Sequence, residues 1–254
     1  MHRRAIVCCD THYPLQEQSA VNVVLKAIKK VKPNIFIHLG DLCENESVSH
    51  WKYKRRKRPP LEYIIPEIDK DIQSGNDGLD DFDKALKEVG CEQKHFIEGN
   101  HCDWLNQFVE EHPYLKNYKV DKAYKLKERG YKYYEYGKYL KIGKLYFYHG
   151  GHYSTTFHTR VHVQNLGKNV VYGHMHDVQR MGISHVDGTI AGVSLGCLKS
   201  IEAENNKWLK GRRTNWNHAF GIVDWFSNGD YILHIVDIIK GKTILNGEVI
   251  DGTT

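Results

Sequence analysis

Five short polar blocks contain the residue types that bind metal ions and transfer protons. They are, in chain order, Asp10-Thr11-His12, Gly40-Asp41, Gly99-Asn100-His101, His149-Gly150 and Gly173-His174-Met175-His176. Together they supply two aspartates, one asparagine and five histidines. That set is sufficient for two adjacent metal ions and leaves one imidazole for proton transfer.

The blocks follow segments that have the pattern of strands. Residues 4–9 and 34–39 are apolar enough for buried strands, and between them residues 17–31 carry apolar side chains at the spacing of one helical face. Asp10 and Asp41 are therefore about one βαβ unit apart. Because parallel strands end at the same edge of a sheet, we expect both carboxylates to lie together at that edge, where ligands of open α/β sheets bind.

The remaining pattern predicts an α/β fold in one domain, residues 1–254. We expect further strands at 95–97, 144–148 and 169–172, helices at 80–89, 104–111 and 157–166, and a β-rich C-terminal part over 177–254 with strands at 189–193, 220–225, 231–236 and 242–245. Residues 43–78, with a basic run, two prolines and Ser74-Gly75-Asn76-Asp77-Gly78, resemble an insert outside the core. The inferred architecture is a four-layer α/β/β/α sandwich of two mixed sheets with flanking helices.

Composition excludes several classes of protein. Of the 254 residues, 41% are hydrophobic and 26% charged, which is typical of a globular protein rather than a disordered one. No segment approaches the roughly 20 apolar residues that span a bilayer, and the apolar stretch 5–9 is too short for the core of a signal peptide. The six cysteines form no CxxC pair, so we expect reduced thiols in a cytoplasmic protein without a membrane partner.

The five blocks resemble the pattern of the calcineurin-like metallophosphoesterase superfamily, and the C-terminal third, with Trp216 and Phe220-Gly221, is similar to its compact bacterial and bacteriophage members. Asp-x-His, Gly-Asp, Gly-Asn-His, a single His and Gly-His-x-His occur here in that order between residues 10 and 176. The resemblance implies one metal ion held by Asp10, His12 and His176 and a second held by Asn100, His149 and His174. It also implies that Asp41 bridges the two ions, that they share a hydroxide, and that His101 donates a proton to the leaving oxygen.

One residue departs from this pattern. The family commonly has Asp or Glu directly after Gly-Asn-His, where the acid would orient the imidazole, but this chain has Cys102 followed by Asp103. Either Asp103 or another acid replaces it, or His101 is less well oriented for proton transfer. If the Asn100-His101 segment is extended, these two side chains point in opposite directions, with Asn100 toward metal.

The ligand types suggest which metals bind. Mixed carboxylate, amide and imidazole ligands suit Mn, Fe or Zn, and no thiolate specifically favours Zn. We therefore expect two divalent or transition metal ions, most plausibly Mn²⁺, with Fe or Zn as alternatives.

Substrate choice must depend on residues outside the blocks. The net charge of +5 is concentrated in residues 51–58 (WKYKRRKR), which carry six positive and no negative charges and include aromatic side chains. This mixture is typical of nucleic-acid contact, although a solvated loop would have the same pattern. A second stretch, 207–216, repeats it. The candidate substrate residues are Trp51, Lys54, Arg55, Arg56, His152 and Arg160.

The favoured function is a di-metal phosphodiesterase or nuclease acting on nucleic acids or nucleotides. A phosphomonoesterase, such as a Ser/Thr protein phosphatase, is the alternative within enzymes. A non-catalytic scaffold is the alternative outside them, because some relatives of the fold have kept the sheets and lost the metals. The oligomeric state is not predicted.

Overall fold

Two β-sheets pack face to face between layers of helices in the computed structural model, which describes residues 3–186 and 188–254. The first sheet contains β1 (Arg3–Cys8), β2 (Ile35–His38), β3 (Gln93–Ile97), β4 (Tyr131–Tyr134), β10 (His218–Trp225) and β11 (Tyr231–Ile238). The second contains β5 (Leu140–Ile142), β6 (Leu145–Tyr148), β7 (Asn169–Tyr172), β8 (Val178–His185) and β9 (Gly188–Leu195). A separate hairpin pairs β12 (Lys242–Leu245) with β13 (Glu248–Asp251).

Both sheets are mixed. The first has the order β11-β10-β1-β2-β3-β4, in which β1 to β4 are parallel and β10 joins β1 antiparallel. The second has the order β5-β6-β7-β9-β8, with β6, β7 and β9 parallel. Consequently β1, β2 and β3 end side by side at one edge, and β6 and β7 end side by side in the other sheet.

The described residues form six α-helices. They are α1 (Gln18–Val31), α2 (His50–Tyr53), α3 (Leu61–Glu88), α4 (Asn100–Glu111), α5 (Val120–Ala123) and α6 (His158–Leu166). Helices α1, α3 and α4 share one core with the first sheet, through residues such as Ile28, Phe82 and Phe108. Helix α6 packs on the second sheet through Val163. The α/β/β/α sandwich predicted from the sequence is therefore confirmed.

Strand β1 shows why the central strands are apolar throughout. Ala5 and Val7 face the core between the two sheets, whereas Ile6 and Cys8 face the core under the helices. All four side chains are completely buried. A strand covered on both faces has no polar side, so its sequence is a continuous apolar run rather than an alternation.

The prediction that residues 43–78 form an insert outside the core is wrong for residues 61–78. Residues 61–88 form the single helix α3, and the Ser74 to Gly78 stretch, which resembles a loop, lies in its middle. A Cβ at Gly75 would lie 2.4 Å from Cys43 Sγ, and one at Gly78 would lie 2.2 Å from the Tyr13 ring. These glycines are present because the helix packs too closely on its neighbours for a side chain, and this requirement outweighs their low helix propensity.

The start of helix α4 and the presence of strand β8 also differ from the sequence prediction. Helix α4 begins at Asn100 rather than near 104, so the Asn100-His101 segment is helical and not extended. Strand β8 was missed, because its sequence, VQRMGISH, has no apolar run and most of its side chains are partly or fully exposed. In the described part of the chain, no helix combines the length and the apolar character needed to cross a membrane.

Candidate metal centre

The loops after five parallel strands bring all five polar blocks to one place. Asp10 follows β1, Asp41 follows β2, and Asn100 with His101 follows β3; His149 follows β6, and the Gly-His-x-His block follows β7. Five residues of these loops have left-handed backbone conformations that are uncommon outside glycine: Asp10, His12, Asp41, His174 and His176, with φ from 50° to 68°. Such strained residues persist where the surrounding structure fixes them, and they concentrate at functional sites.

Asp10, His12 and His176 present three ligand atoms to a common point. His12 Nε2 lies 3.2 Å from His176 Nε2, and Asp10 Oδ1 lies 3.4 Å from His176 Nε2 and 3.9 Å from His12 Nε2. Asp10 Oδ1 is buried and has no hydrogen-bond partner among the described residues. Two imidazole nitrogens facing each other beside an unpartnered carboxylate oxygen fit a shared cation better than any hydrogen-bonding scheme, so this set fits a metal ion.

Asp41, Asn100, His149 and His174 form a second group. His149 Nε2 lies 3.2 Å from Asp41 Oδ2 and 3.0 Å from Asn100 Oδ1, and His174 Nδ1 lies 2.7 Å from the same amide oxygen. His149 Nδ1 donates to the Leu39 carbonyl at 2.7 Å, which leaves Nε2 as the ligand atom. Oxygen and imidazole ligands at these separations also fit a metal ion.

Asp41 lies between the two groups. Its Oδ2 is 3.2 Å from His149 Nε2 on one side and 3.8 Å from His12 Nε2 on the other, while Oδ1 accepts the main-chain N–H of His101 at 2.8 Å. This approach requires glycine at position 99, because a Cβ there would lie 2.2 Å from Asp41 Oδ1. Gly173 plays the same part for Asp10, whose Oδ2 accepts the N–H of His174 at 2.9 Å. The two motif glycines thus let the backbone hold one oxygen of each carboxylate and leave the other for a metal.

The electrostatic balance favours ionised carboxylates and mixed imidazole states. Burial opposes the charge of Asp10, but the nearby imidazoles of His12 and His176 hold its pKa well below the usual range. Burial lowers the pKa of His174 to about 3, whereas for His149 the nearby Asp41 more than offsets burial and the pKa rises to about 9. A cation would take the place of that proton, because metal ligands must be deprotonated.

Glu44 and Lys199 complete the surroundings, and sequence reasoning missed both. Glu44 Oε2 accepts His12 Nδ1 at 2.9 Å and Lys199 Nζ at 2.5 Å, and the Lys199 side chain is only 2% exposed. Ligand atoms of His12, Glu44 and His101 also lie within 4.8 Å of one another. Since Glu44 is already bound by His12 and Lys199, we assign it to the orientation of His12, whose Nε2 then faces the metal position. No sequence motif marks these two residues.

The structure also shows what binds His101 in the absence of the expected acid. His101 Nδ1 donates to the main-chain carbonyl of Glu44 at 2.5 Å, whereas Asp103 accepts a hydrogen bond from Gln107 at 2.6 Å. Cys102 is completely buried in the helical core. The imidazole is therefore oriented by a backbone carbonyl, and not by the carboxylate of Asp103 or of another acid. Burial lowers the pKa of His101 to about 4, against the opposing effect of Asp41.

A cavity of about 780 Å³ opens above these residues. Trp51, Lys54, Arg55 and Arg56 line it, so four of the six candidate substrate residues lie beside the metal centre. The cavity is also lined by Trp104, Lys199 and Trp208. The other two candidates do not line it: His152 contacts the Tyr139, Tyr148 and Tyr153 rings, and Arg160 is exposed on α6. Both residues follow the His149 block closely in the chain, so sequence position alone could not separate them from the residues that line the cavity.

Comparisons with known proteins agree with this site. A model of the calcineurin-like phosphoesterase superfamily domain matches residues 4–202, which include every residue of the five blocks. The Gene 54 proteins of Mycobacterium phages D29 and L5 are 24% and 25% identical, and each alignment covers 98% of this chain and 99% of the relative. A single mutant of Vps29 from Entamoeba histolytica is similar in fold, with a TM-score of 0.50 at 12% identity and 98% coverage of both chains. The chain belongs to the calcineurin-like phosphoesterase superfamily.

Proposed function

We propose that this protein is a two-metal phosphoesterase that hydrolyses phosphodiesters of nucleic acids or nucleotides. The observation that carries the proposal is the position of Asp41 between two groups of ligand atoms, 3.2 Å from His149 Nε2 and 3.8 Å from His12 Nε2. A carboxylate placed in this way can bridge two cations at the separation used in two-metal hydrolysis.

Each residue of the centre has a separate role in this proposal. Asp10, His12 and His176 would hold one cation, and Asn100, His149 and His174 the other. When bound, the two ions would activate water and neutralise charge on the phosphoryl group. Hydrogen bonds fix the directions of the ligands: Glu44 holds His12, and the Leu39 carbonyl holds His149. The main-chain N–H groups of His101 and His174 hold Asp41 and Asp10. Little reorganisation is therefore needed when substrate binds.

His101 is the proposed proton donor to the leaving oxygen. Its Nδ1 is held by the Glu44 carbonyl, so Nε2 is the atom free to face a substrate. Its ring lies edge-on to the metal ligand His12, with ring centroids 4.6 Å apart. A bound phosphoryl anion would favour the imidazolium form and raise the lowered pKa toward the working pH.

The choice of a diester of nucleic acid rests on the walls of the cavity. Lys52, Lys54, Arg55 and Arg56 surround its mouth, and indole rings stand beside them. Positive charge together with exposed aromatic faces is the combination that binds polynucleotide backbones and bases. A phosphomonoesterase, including a protein phosphatase, is the second candidate because the metal centre would serve either reaction.

Mn²⁺ is the proposed metal, with Fe or Zn as alternatives, since the ligands are carboxylate, amide and imidazole. All six cysteines are free, which is consistent with the proposed cytoplasmic location. A non-catalytic scaffold is the least supported alternative, because all seven proposed ligand residues are present in the sequence and lie close together in space.

Turnover of two chromogenic esters tests the proposal. The Mn²⁺-loaded protein should hydrolyse bis-p-nitrophenyl phosphate faster than p-nitrophenyl phosphate. Asp41→Asn should lose activity together with metal, whereas His101→Ala should retain metal and lose turnover. His234 is exposed on the edge strand β11, so His234→Ala is the control and should change neither metal content nor turnover. Faster hydrolysis of the monoester would favour the phosphatase, and failure to bind any transition metal would refute the enzyme.

A further inference from the structure

Four of the five tryptophans of the chain surround the cavity above the metal centre. Trp51, Trp104 and Trp208 line it, and Trp216 packs against Trp208 with ring centroids 6.0 Å apart. The fifth, Trp225, is buried between the two sheets. Trp104 also packs in the core under the helices, whereas Trp51, Trp208 and Trp216 are not among the buried core residues.

Two of these indoles are exposed at the mouth of the cavity. Trp51, on α2, is 67% exposed, and Trp208 is 58% exposed. Tryptophan is usually well buried, because its large apolar surface is unfavourable in water. Exposed indoles beside a concave site therefore indicate a ligand with flat apolar faces.

Contacts connect the exposed rings to the metal ligands. Trp216 lies edge-on to the metal ligand His176, with centroids 4.6 Å apart, and Trp208 rests on Trp216. On the other side Trp104 packs on His101 at 3.9 Å. A ligand that stacks on Trp208 would thus lie within a few side chains of the reacting phosphate.

Cations accompany both exposed indoles. Lys54 Nζ lies 4.9 Å from the centroid of the Trp51 ring, and no carboxylate of residues 3–186 or 188–254 forms an ion pair with Lys54, Arg55 or Arg56. Lys207 and Lys210 flank Trp208 and are exposed. The rim therefore offers aromatic faces and uncompensated positive charge together, which fits a chain of phosphates carrying unpaired bases.

We propose that this tryptophan rim, formed by Trp51, Trp208 and Trp216, binds unpaired nucleobases, so that the substrate is single-stranded nucleic acid or an unpaired strand end. The inference rests on the proposed function and specifies its substrate. In a duplex the base faces are already stacked on one another, so only the backbone could contact the rim. A phosphopeptide would use the positive charge and leave the indoles exposed.

Intrinsic tryptophan fluorescence tests the proposal directly, because only Trp225 lies away from the cavity. The Mn²⁺-loaded His101→Ala protein, which binds without turnover, is titrated at one fixed salt concentration with a 12-nucleotide oligo-dT, the matching oligo-U and a hairpin duplex of equal charge. We expect quenching by both single strands and affinity for them at least about 10-fold higher than for the duplex. A phosphopeptide of equal charge should not quench.

Substitutions at the rim provide the second readout. In the same background Trp208→Ala should weaken single-strand binding about 10-fold, and Trp208→Phe should restore part of it because a stacking ring remains. Phe226→Ala is the matched control: Phe226 is also 58% exposed but lies after β10, away from the cavity. Equal affinity for the duplex, or no effect of Trp208→Ala, would overturn the proposal.

The two proposals can fail separately. If the protein hydrolyses bis-p-nitrophenyl phosphate but does not prefer single strands, the proposed role of the tryptophan rim is overturned and the proposed phosphodiesterase activity stands. Selective quenching by single strands in a protein without hydrolytic activity would overturn the phosphodiesterase and leave the rim.

Discussion

Glu44 links His12, a proposed metal ligand, to the buried ammonium of Lys199, and its replacement by glutamine should separate metal affinity from stability. Its carboxylate accepts His12 Nδ1 at 2.9 Å and Lys199 Nζ at 2.5 Å. Glutamine has nearly the same size and retains an oxygen acceptor, but it carries no charge. Glu44→Gln therefore weakens the orientation of His12 and leaves the ammonium of Lys199, with a side chain 2% exposed, without an anion.

The substitution should have two effects, one on metal affinity and one on thermal stability. Loss of a carboxylate that orients a metal-binding histidine typically costs 10- to 100-fold in metal affinity, so the cation held by His12 should dissociate correspondingly more easily. Leaving a buried charge unpaired costs about 3–5 kcal/mol, which for a chain of this size lowers Tm by roughly 10 °C. Glu44→Gln combined with Lys199→Met removes both charges, so it should recover most of the stability without recovering the metal affinity.

Calorimetric titration with Mn²⁺ and thermal unfolding of the metal-free proteins measure the two effects independently. In Glu44→Gln one of the two Mn²⁺ sites should weaken and the other should keep its affinity. If both sites keep wild-type affinity in Glu44→Gln, the assignment of Glu44 to His12 is refuted. If the double variant regains metal affinity together with stability, the loss was a consequence of unfolding rather than of ligand orientation.

Two further predictions concern residues outside the metal centre. Gly78→Ala should lower the free energy of unfolding by about 1–3 kcal/mol in a denaturant melt, because the added Cβ would lie 2.2 Å from the Tyr13 ring. Helix propensity alone predicts that the substitution raises this free energy by about 1 kcal/mol. A stabilised variant would therefore contradict the close packing of Gly78 on Tyr13. Burial, together with Glu44 and Glu67, raises the pKa of Asp71 from 3.8 to about 7. The unfolded state therefore loses this proton at lower pH than the folded state, so stability that is present below about pH 4 is lost as pH rises to about 7. Asp71→Asn should be more stable than wild type at pH 8 by on the order of 2 kcal/mol, a value reduced for the partial exposure of the side chain. Equal melting temperatures of the two proteins at pH 8 would contradict the raised pKa.

The convergence of the candidate metal ligands was the part of the molecule most accessible from sequence. Asp10 and Asp41 follow apolar runs that can only be buried strands, and βαβ geometry then places them at one edge without further information. The ligand blocks are short and local, so each could be recognised in the sequence. The two packed sheets were inferred from the pattern of strands and helices, but the meeting of His12 with His176, 164 residues apart, was implied by the family resemblance.

The errors came from contacts that a linear sequence does not display. Gly75 and Gly78 predict a loop by propensity, yet they occur in a helix because Cys43 and Tyr13 leave no room for side chains. Lys199 resembles an ordinary surface lysine until Glu44, 155 residues away, is placed beside it. In both cases tertiary packing outweighs the local preference.

The number of metal ions bound per chain at saturation tests the central claim most directly. Wild-type protein titrated with Mn²⁺ and analysed for metal content after removal of free ions should contain two ions, and Asp41→Asn, which lacks the bridging charge, should contain fewer. Two ions in the wild type together with hydrolysis of bis-p-nitrophenyl phosphate is the predicted result. A single ion, or two ions that are unaffected by Asp41→Asn, would contradict the bridged two-metal centre.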